Sequence, residues 1–295
     1  MDVSVILVNY NTKDLLRQCL LSIFEKTLMV TFEVIVSDND SKDGSLEMLH
    51  EEFPNVISLQ NNANLGFGKA NNKAISVAKG KYLFLLNTDT YLLNNAIKIL
   101  FDYMENPQHN KVGCCGGDLF DARGGKQASF GNFPSVLDAI SQIGFYRFYK
   151  NYYHKHISAG AINPDQTIKV VDFICGADMF IRSTLLDRIG AFDEDFFLYF
   201  EETELSYRIK QAGFKSVLVP QAEIVHLEGG SQGMETFNFF KTSVFAKSRK
   251  LYFKKTSGAW SATFVTLIFM FQSFLLFLIK GNKNYLKQMV AIFKA

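Results

Sequence analysis

Four times before Asp89 the chain passes from a short apolar run into a polar cluster or a stretch of helical periodicity. Residues 3–8 read as a buried strand, followed by a helical pattern over 15–24. Residues 32–37 form a second run, ending in Asp38-Asn-Asp-Ser-Lys-Asp-Gly-Ser45, after which Leu46, Leu49 and Phe53 recur at helical spacing. A third run, 56–59, precedes a helix over 69–78, and a fourth, 81–86, closes on Asn87-Thr-Asp89. Strands alternating with helices at this spacing predict an α/β fold whose mostly parallel sheet is covered on both faces. In such sheets ligands bind beyond the carboxyl ends of the strands. The polar clusters at 9–12, 38–43 and 87–89 all fall there.

Beyond this the pattern weakens. Residues 113–170 hold a glycine-rich stretch and an aromatic segment at 145–153, and read as an insertion over the sheet end. Regular patterning resumes over 170–182, then as a helix over 201–212 and a strand over 216–219.

Each chemistry-bearing residue has a plain alternative. Asp89, at the end of a buried strand, can hold a hard divalent cation whose other ligands come from phosphate oxygens. It can equally cap a helix over 94–103. Asp38 can accept a hydrogen bond from a base or ribose, or can organise a turn. Gly66-Phe-Gly-Lys-Ala-Asn71 partly matches a dinucleotide fingerprint, but that motif belongs after the first strand, which argues against a dehydrogenase. Glu201, Glu202 and Glu204 open a helix behind an aromatic run. The helix dipole favours them there, and Glu204 can pair with Arg208, four residues on. A carboxylate beside so many aromatics also suits sugar recognition and removal of a hydroxyl proton. His226 ends the run Ile224-Val-His226 and is followed by Gly229-Gly-Ser231.

Charge is distributed unevenly. All 29 acidic residues lie at or before Glu235, whereas Lys241 to the C-terminus carries ten basic residues and no acid. The formal net charge of +2 therefore joins a body of 21 basic and 29 acidic residues to a tail of +10. Such asymmetry points to an anionic partner. Residues 259–279 lack any charge and would reach roughly 31 Å as a helix, the thickness of a bilayer core. Lys254, Lys255 and Trp260 precede this segment, and Lys280 and Lys283 follow it, as at a membrane interface. Thr263, Thr266, Met270 and Ser273 share one face, with Phe264, Leu267, Ile268, Phe271, Leu275 and Leu278 on the other. A spanning helix, an interfacial one and one packed in a bundle all fit that pattern, though an ordinary buried helix would leave the basic flanks without a purpose. Basic residues flanking an apolar run favour a membrane surface over nucleic acid. With 48% hydrophobic and 20% charged residues, wholesale disorder is excluded. Cys19, Cys114, Cys115 and Cys175 show no metal-ligand spacing and read as reduced thiols of a cytosolic protein. The opening residues lack the pattern of a secretory signal.

Several segments together resemble the family 2 inverting glycosyltransferases, and within them the rhamnosyltransferase-like group. They are Val5-Ile-Leu-Val-Asn-Tyr-Asn-Thr12, Val36-Ser-Asp-Asn-Asp-Ser-Lys-Asp-Gly-Ser45, Asn64-Leu-Gly-Phe-Gly-Lys-Ala-Asn-Asn72, Leu86-Asn-Thr-Asp-Thr90, Gly176-Ala-Asp-Met-Phe-Ile-Arg182 and Ile189-Gly-Ala-Phe-Asp193. The run 196–213 and Val225-His226 also match, so the resemblance covers about residues 3–232.

The resemblance implies a glycosyltransferase A-type fold over 1–232, with a nucleotide-binding half to about 112 and an acceptor half from about 113. A basic helical tail, 233–295, follows, with 259–279 as its membrane-associating segment. The resemblance also makes Asp38 the residue for the nucleotide base, with Asn9, Asn11, Gly66 and Asn87 as further donor-binding candidates. Asp89 becomes the last acid of the metal motif and His226 its C-terminal partner, for Mg or Mn. Glu202 is the candidate base, with Glu201 and Glu204 as rivals. Two positions depart from the family pattern: Asn87 stands where an Asp is common, and Glu202 completes a Glu-Glu instead of a Glu-Asp pair. The implied activity is transfer of a sugar from a nucleotide-diphosphate donor to a glycan or lipid-linked acceptor, at the cytoplasmic membrane face. The departures keep open a non-catalytic nucleotide-sugar-binding scaffold.

Overall fold

The computed structural model describes residues 1–158, 160–227 and 237–295. The Gly229-Gly-Ser231 stretch and the boundary drawn at 232 lie outside the described residues. The chain runs β1 (Val3–Asn9), α1 (Lys13–Lys26), β2 (Phe32–Asp38), α2 (Ser45–Glu52), β3 (Ile57–Gln60), α3 (Phe67–Ile75), β4 (Tyr82–Asn87), β5 (Thr90–Leu92), α4 (Ala96–Glu105) and β6 (Val112–Phe120). It continues through β7 (Phe130–Gly131), α5 (Val136–Gln142), α6 (Lys150–His156), β8 (Lys169–Val171), β9 (Phe173–Ile174) and β10 (Asp178–Arg182). Last come α7 (Ser183–Ile189), α8 (Glu201–Gln211), β11 (Lys215–His226), α9 (Phe239–Lys280) and α10 (Asn284–Lys294).

The central sheet has the order β3-β2-β1-β4-β10-β6-β11-β5, with β8 also paired to β11. Strands β3, β2, β1 and β4 are parallel, and β10 runs antiparallel between β4 and β6. Because β1 is sandwiched on both faces, its side chains alternate between two apolar layers. Val5 and Leu7 join Leu16 of α1, Met48 of α2 and Ile97 of α4. Ile6 joins Ala74 of α3, Leu185 of α7 and Leu205 of α8. Two-sided burial is why these strands read as unbroken apolar runs.

Two expectations are corrected. The glycine-rich stretch is divided: Gly113, Gly116 and Gly117 lie within β6, inside the sheet and outside any insertion, while Gly124 and Gly125 lie in the turn that follows. Side chains at the β6 positions would collide, since an added Cβ would come within 2.6 Å of Leu185 at Gly113 and 2.4 Å of Ile174 at Gly116. Glycine hides a strand from propensity reasoning because the strand is defined by what packs against it. Nor does Asp89 cap a helix. Thr90, Tyr91 and Leu92 pair with His226, Val225 and Ile224 as β5, which delays α4 until Ala96.

The tail is not one rod. Gly258, at φ 87° and ψ 166°, breaks α9 into arms 239–257 and 259–280. The arms fold back on each other, bringing the Arg249 guanidinium carbon 3.4 Å from the ring centroid of Phe269. A continuous helix would hold those positions about 30 Å apart. Helix α10 lies against α9, with Tyr285 5.2 Å from Phe237 and Lys287 over Phe239. Ala262, Val265, Ile268, Phe269 and Ser273 face inward, so Ile268 and Ser273, which the helical pattern put on opposite faces, are buried together. Trp260, Phe264, Leu267, Phe271 and Leu278 face outward. The inward residues join Phe196, Phe200, Tyr252 and Phe253 in a third core that fastens the tail to the body. Ser248 donates to the Leu198 carbonyl at 2.8 Å, and Lys255 pairs with Asp195 at 2.8 Å.

Asp178 is fully buried on β10; one oxygen accepts from the Gly117 amide at 2.6 Å, and the other has no partner among the described residues. Burial, then the nearby Asp118, raises its pKa well above the usual carboxylate range. Folding therefore favours the protonated acid, and stability present at low pH is lost as pH rises through the folded pKa. Asp178→Asn is expected to raise the melting temperature at pH 8 but not at pH 4, by roughly 2–4 °C per kcal/mol recovered. Thermal melts at both pH values check this; an equal effect at both would contradict it.

Candidate functional site

The carboxyl ends of β1, β2 and β4 are stitched together by side chains. Asn9 is fully buried and donates to Asp38 Oδ2 at 2.7 Å and to Ser41 Oγ at 3.0 Å, while its own Oδ1 accepts from Thr12 Oγ1 at 2.7 Å. Asp38 Oδ1 accepts from the Ser41 amide at 2.8 Å. Asp38 thus has both oxygens engaged and is fully buried beneath the cleft, which it does not itself line. Its neighbour Asn39 does reach the cleft, as does Asn64.

That cleft has a volume of about 940 Å³ and is lined by Asn11, Asn39, Gly66, Asn87, Thr88 and Asp89, among others. Asn11 adopts φ 53° and accepts from the Lys42 amide at 2.7 Å. Gly66 has φ +81°, and a Cβ there would come 2.2 Å from the Phe197 carbonyl. That carbonyl instead accepts from the Phe67 amide at 3.0 Å, so the glycine lets the loop before α8 close over α3. Lys241 of α9 also lines the cleft.

Asp89 and His226 are brought together from distant sequence. Pairing of β5 with β11 sets His226 Nε2 3.4 Å from Asp89 Oδ1. His226 is buried, and its Nδ1 has no hydrogen-bond partner among the described residues. One carboxylate and one imidazole converge here, and no group of three metal-type side chains occurs among the described residues. This donor set fits a divalent cation that takes most of its ligands from phosphate and water. An Asp–His ion pair is the alternative use of the same geometry.

The three glutamates of α8 separate clearly. Glu204 is held by Arg208 through bonds of 2.9 Å, and Arg208 also donates to the carbonyls of Ile189, Gly190 and Ala191. It is committed to structure. Glu201 is buried, with one oxygen unpartnered, and lines neither the cleft nor its neighbouring cavity. Glu202 faces a second cavity of about 210 Å³, together with Asp138, Phe173, Phe200, Arg249 and Phe269. Gly176 leaves room for it, since a Cβ there would already touch Glu202 Cγ at 3.4 Å. It is half-buried there, and burial raises its pKa. Burial, then the charge of Glu202, raises Glu201 further.

Tyr199 lines both cleft and cavity. Tyr199 and Phe200 sit at φ 71° and 69°, a left-handed conformation that costs about 1–3 kcal/mol for such residues. The strained turn sets the Tyr199 ring between the two spaces and starts α8 with Glu202 at the cavity wall. Sequence reasoning missed Asn39, Asn64, Tyr199, Lys241, Asp138 and Arg249. The first two lay inside motifs already singled out; the tail residues gave no signal, because their contact with the body depends on the fold-back at Gly258.

A mostly parallel nucleotide-type sheet, a polar cleft at its strand ends and a carboxylate-bearing cavity beside it define a glycosyltransferase A-type enzyme. The chain belongs to glycosyl transferase family 2, whose family model, described as "Glycosyl transferase family 2", matches residues 4–185. It is a glycosyltransferase of the rhamnosyltransferase-like group. It is 26% identical over 242 residues to the N-acetylglucosaminyl-diphospho-decaprenol L-rhamnosyltransferase of Mycobacterium tuberculosis, covering 78% of this chain and 77% of that protein. In fold it is similar to S. aureus TarS 1-349 in complex with UDP-GlcNAc, with TM-score 0.62, 16% identity, and 99% and 79% of the two chains covered. It also resembles GalNAc-T7 with UDP, GalNAc and Mn2+, with TM-score 0.59, 16% identity and 86% of this chain covered. The chain spans only half (50%) of that longer protein.

Gly66→Ala tests the cleft. The substitution is expected to weaken nucleotide binding at least ~10-fold and to lower the melting temperature, since the loop can no longer seat on α3 at a cost of about 1–3 kcal/mol. Calorimetric titration with a nucleoside diphosphate checks it; unchanged affinity would show that the loop plays no part in shaping the site.

Proposed function

We propose that this enzyme transfers a sugar, with inversion, from a nucleoside-diphosphate donor to a hydroxyl of a glycan or lipid-linked glycan acceptor, in cell-surface polysaccharide synthesis at the cytoplasmic membrane face. The observation that carries the reading is the meeting, at Tyr199, of a polar cleft holding Asp89 with an aromatic cavity holding Glu202. Residues to about 112 form the nucleotide-binding half and 113–232 the acceptor half, with 233–295 as membrane tail. Asn11, Gly66 and Asn87 line the donor's position, and Asp38 and Asn9 brace the loops around its base. Among relatives, the mycobacterial protein is named for a diphospho-decaprenol acceptor, which supports a lipid-linked substrate.

In the mechanism that follows, Glu202 in its ionised form takes the proton of the acceptor hydroxyl. The acceptor oxygen bonds to the anomeric carbon as the bond from that carbon to the diphosphate oxygen breaks on the opposite side. The nucleoside diphosphate leaves with the bonding pair, and one displacement inverts the centre. Lys241, lining the cleft, supplies a cation to the departing diphosphate. Asp89 and His226 would hold a divalent cation, Mg or Mn, which when bound offsets the leaving group's negative charge.

Glu202→Gln is expected to lower turnover by a factor of about 10² or more while nucleotide binding persists. Near-normal turnover would remove Glu202 from the role. Because its pKa is raised, the active, ionised form is gained only as pH rises through a value above the ordinary carboxylate range. The acid limb of the rate profile should therefore lie above that range and vanish in the variant. A thermal-shift panel of nucleotide sugars with and without manganese identifies the donor. In the same panel Asp89→Ala should abolish the manganese-dependent part of the shift; an unchanged shift would count against a metal at this site.

A further inference from the structure

Arg249 of α9 is only 8% exposed, yet none of its nitrogens has a hydrogen-bond or ion-pair partner among the described residues. Its guanidinium stacks on Phe269 at 3.4 Å and lies 5.7 Å from the Phe245 ring centroid. Its remaining accessible surface opens onto the cavity that holds Glu202 and onto an adjoining one lined by Lys241 and Gln288. Asp138, which shares the cavity, does not pair with it; Asp138 accepts instead from Gln142 at 3.0 Å and Tyr153 at 3.3 Å. A buried guanidinium without an anion is expensive in solvation, since a removed hydration shell is normally replaced by a hydrogen-bonded counter-charge. Burial accordingly lowers its pKa to about 9, which still leaves it charged at neutral pH. Burial also holds the neighbouring Asp138 and Glu202 carboxyls above their ordinary range, so the carboxyls around the cavity resist ionisation while the cation persists.

We propose that Arg249 is the acceptor-phosphate residue: it binds the anomeric phosphate of a saccharide carried on a lipid diphosphate. The proposal rests on the transferase reading above and names its acceptor class. In such an acceptor a single sugar ring separates the phosphate from the hydroxyl that attacks. A phosphate site and the base should then share one small cavity, as Arg249 and Glu202 do. The planar fork of an arginine suits bidentate contact with phosphate oxygens, and the stacked Phe269 fixes its plane. An apolar surface for the lipid chain lies nearby, because Phe269 belongs to the arm whose other face presents Phe264, Leu267 and Phe271 outward. Lys241 lies two turns before Arg249 on the same helix and lines the donor cleft, so one helix sets a cation toward each substrate's phosphate.

The test uses the full chain carrying Asp89→Ala, which weakens the donor site, and three probes: geranyl diphosphate, geraniol and vesicles containing phosphatidylglycerol. In that background Arg249→Met should weaken geranyl diphosphate binding about 10- to 100-fold, as expected for loss of a charge-assisted contact, and leave geraniol binding unchanged. Vesicle binding should also be unchanged. With Asp89 intact, Arg249→Met should bind nucleoside diphosphate normally. Its melting temperature should equal or exceed that of the parent, because an unpaired buried charge is gone. Equal geranyl diphosphate affinity with and without Arg249 would overturn the proposal, as would a loss confined to vesicles or a collapse of stability in both Arg249→Met and Arg249→Lys. A chain that transfers sugar but fails this test loses only the phosphate site. One that binds geranyl diphosphate through Arg249 yet transfers no sugar keeps the site and loses the transferase reading.

Discussion

The hydrogen bond from Asn9 to Asp38, 2.7 Å long and fully buried, ties the ends of β1 and β2 at the point where both strands release the chain. Everything on the donor side depends on it. It fixes the register Asn9↔Asp38, holds Ser41 against the Asn11 amide, and lets Thr12 reach Thr88 at 3.0 Å, which adds β4 to the set. Three loops that would otherwise be independent become one polar floor. A carboxylate this deeply buried is tolerable because both of its oxygens are satisfied by neutral donors.

The strand-end clusters were legible in the sequence because a parallel sheet forces its loops to one side, and polar residues after an apolar run mark that side. The first four strands were readable for the same reason, their two-sided burial leaving an unbroken apolar signature. Strand β6 was not, since Gly113, Gly116 and Gly117 carry no side chain by which pattern could be judged. Asp89 looked like a helix cap until its neighbours Thr90–Leu92 were seen to pair with Ile224–His226, a contact across more than a hundred residues that local reasoning does not reach. Of the three adjacent glutamates, sequence favoured Glu202 by position in a family motif. The structure adds a physical distinction: Glu204 is consumed by Arg208, and Glu202 alone of the three lines the aromatic cavity.

Local strain is concentrated where the two spaces meet. Tyr199 and Phe200 hold left-handed backbone at the start of α8, and the packing of Phe200 against Phe245 and Tyr252 keeps them there. Both of those stabilising rings come from the tail. A strained turn of the body is thus packed against an element far along the chain, which links the shape of the cavity to α9.

The reversal at Gly258 has a geometric consequence for how the enzyme would meet a bilayer. The apolar arm is yoked, through Arg249 on Phe269, alongside an arm carrying the exposed Lys247, Lys250 and Lys254, and the two share one inclination. An upright apolar arm would drag that cationic companion through hydrocarbon, whereas a recumbent one leaves the charges at headgroup level. Were the arms to lie so against a bilayer, the apolar arm and a substrate's lipid chain would share one leaflet. A lipid-borne substrate would then arrive by sliding sideways within a leaflet, a search in two dimensions in which water is crossed only by the donor.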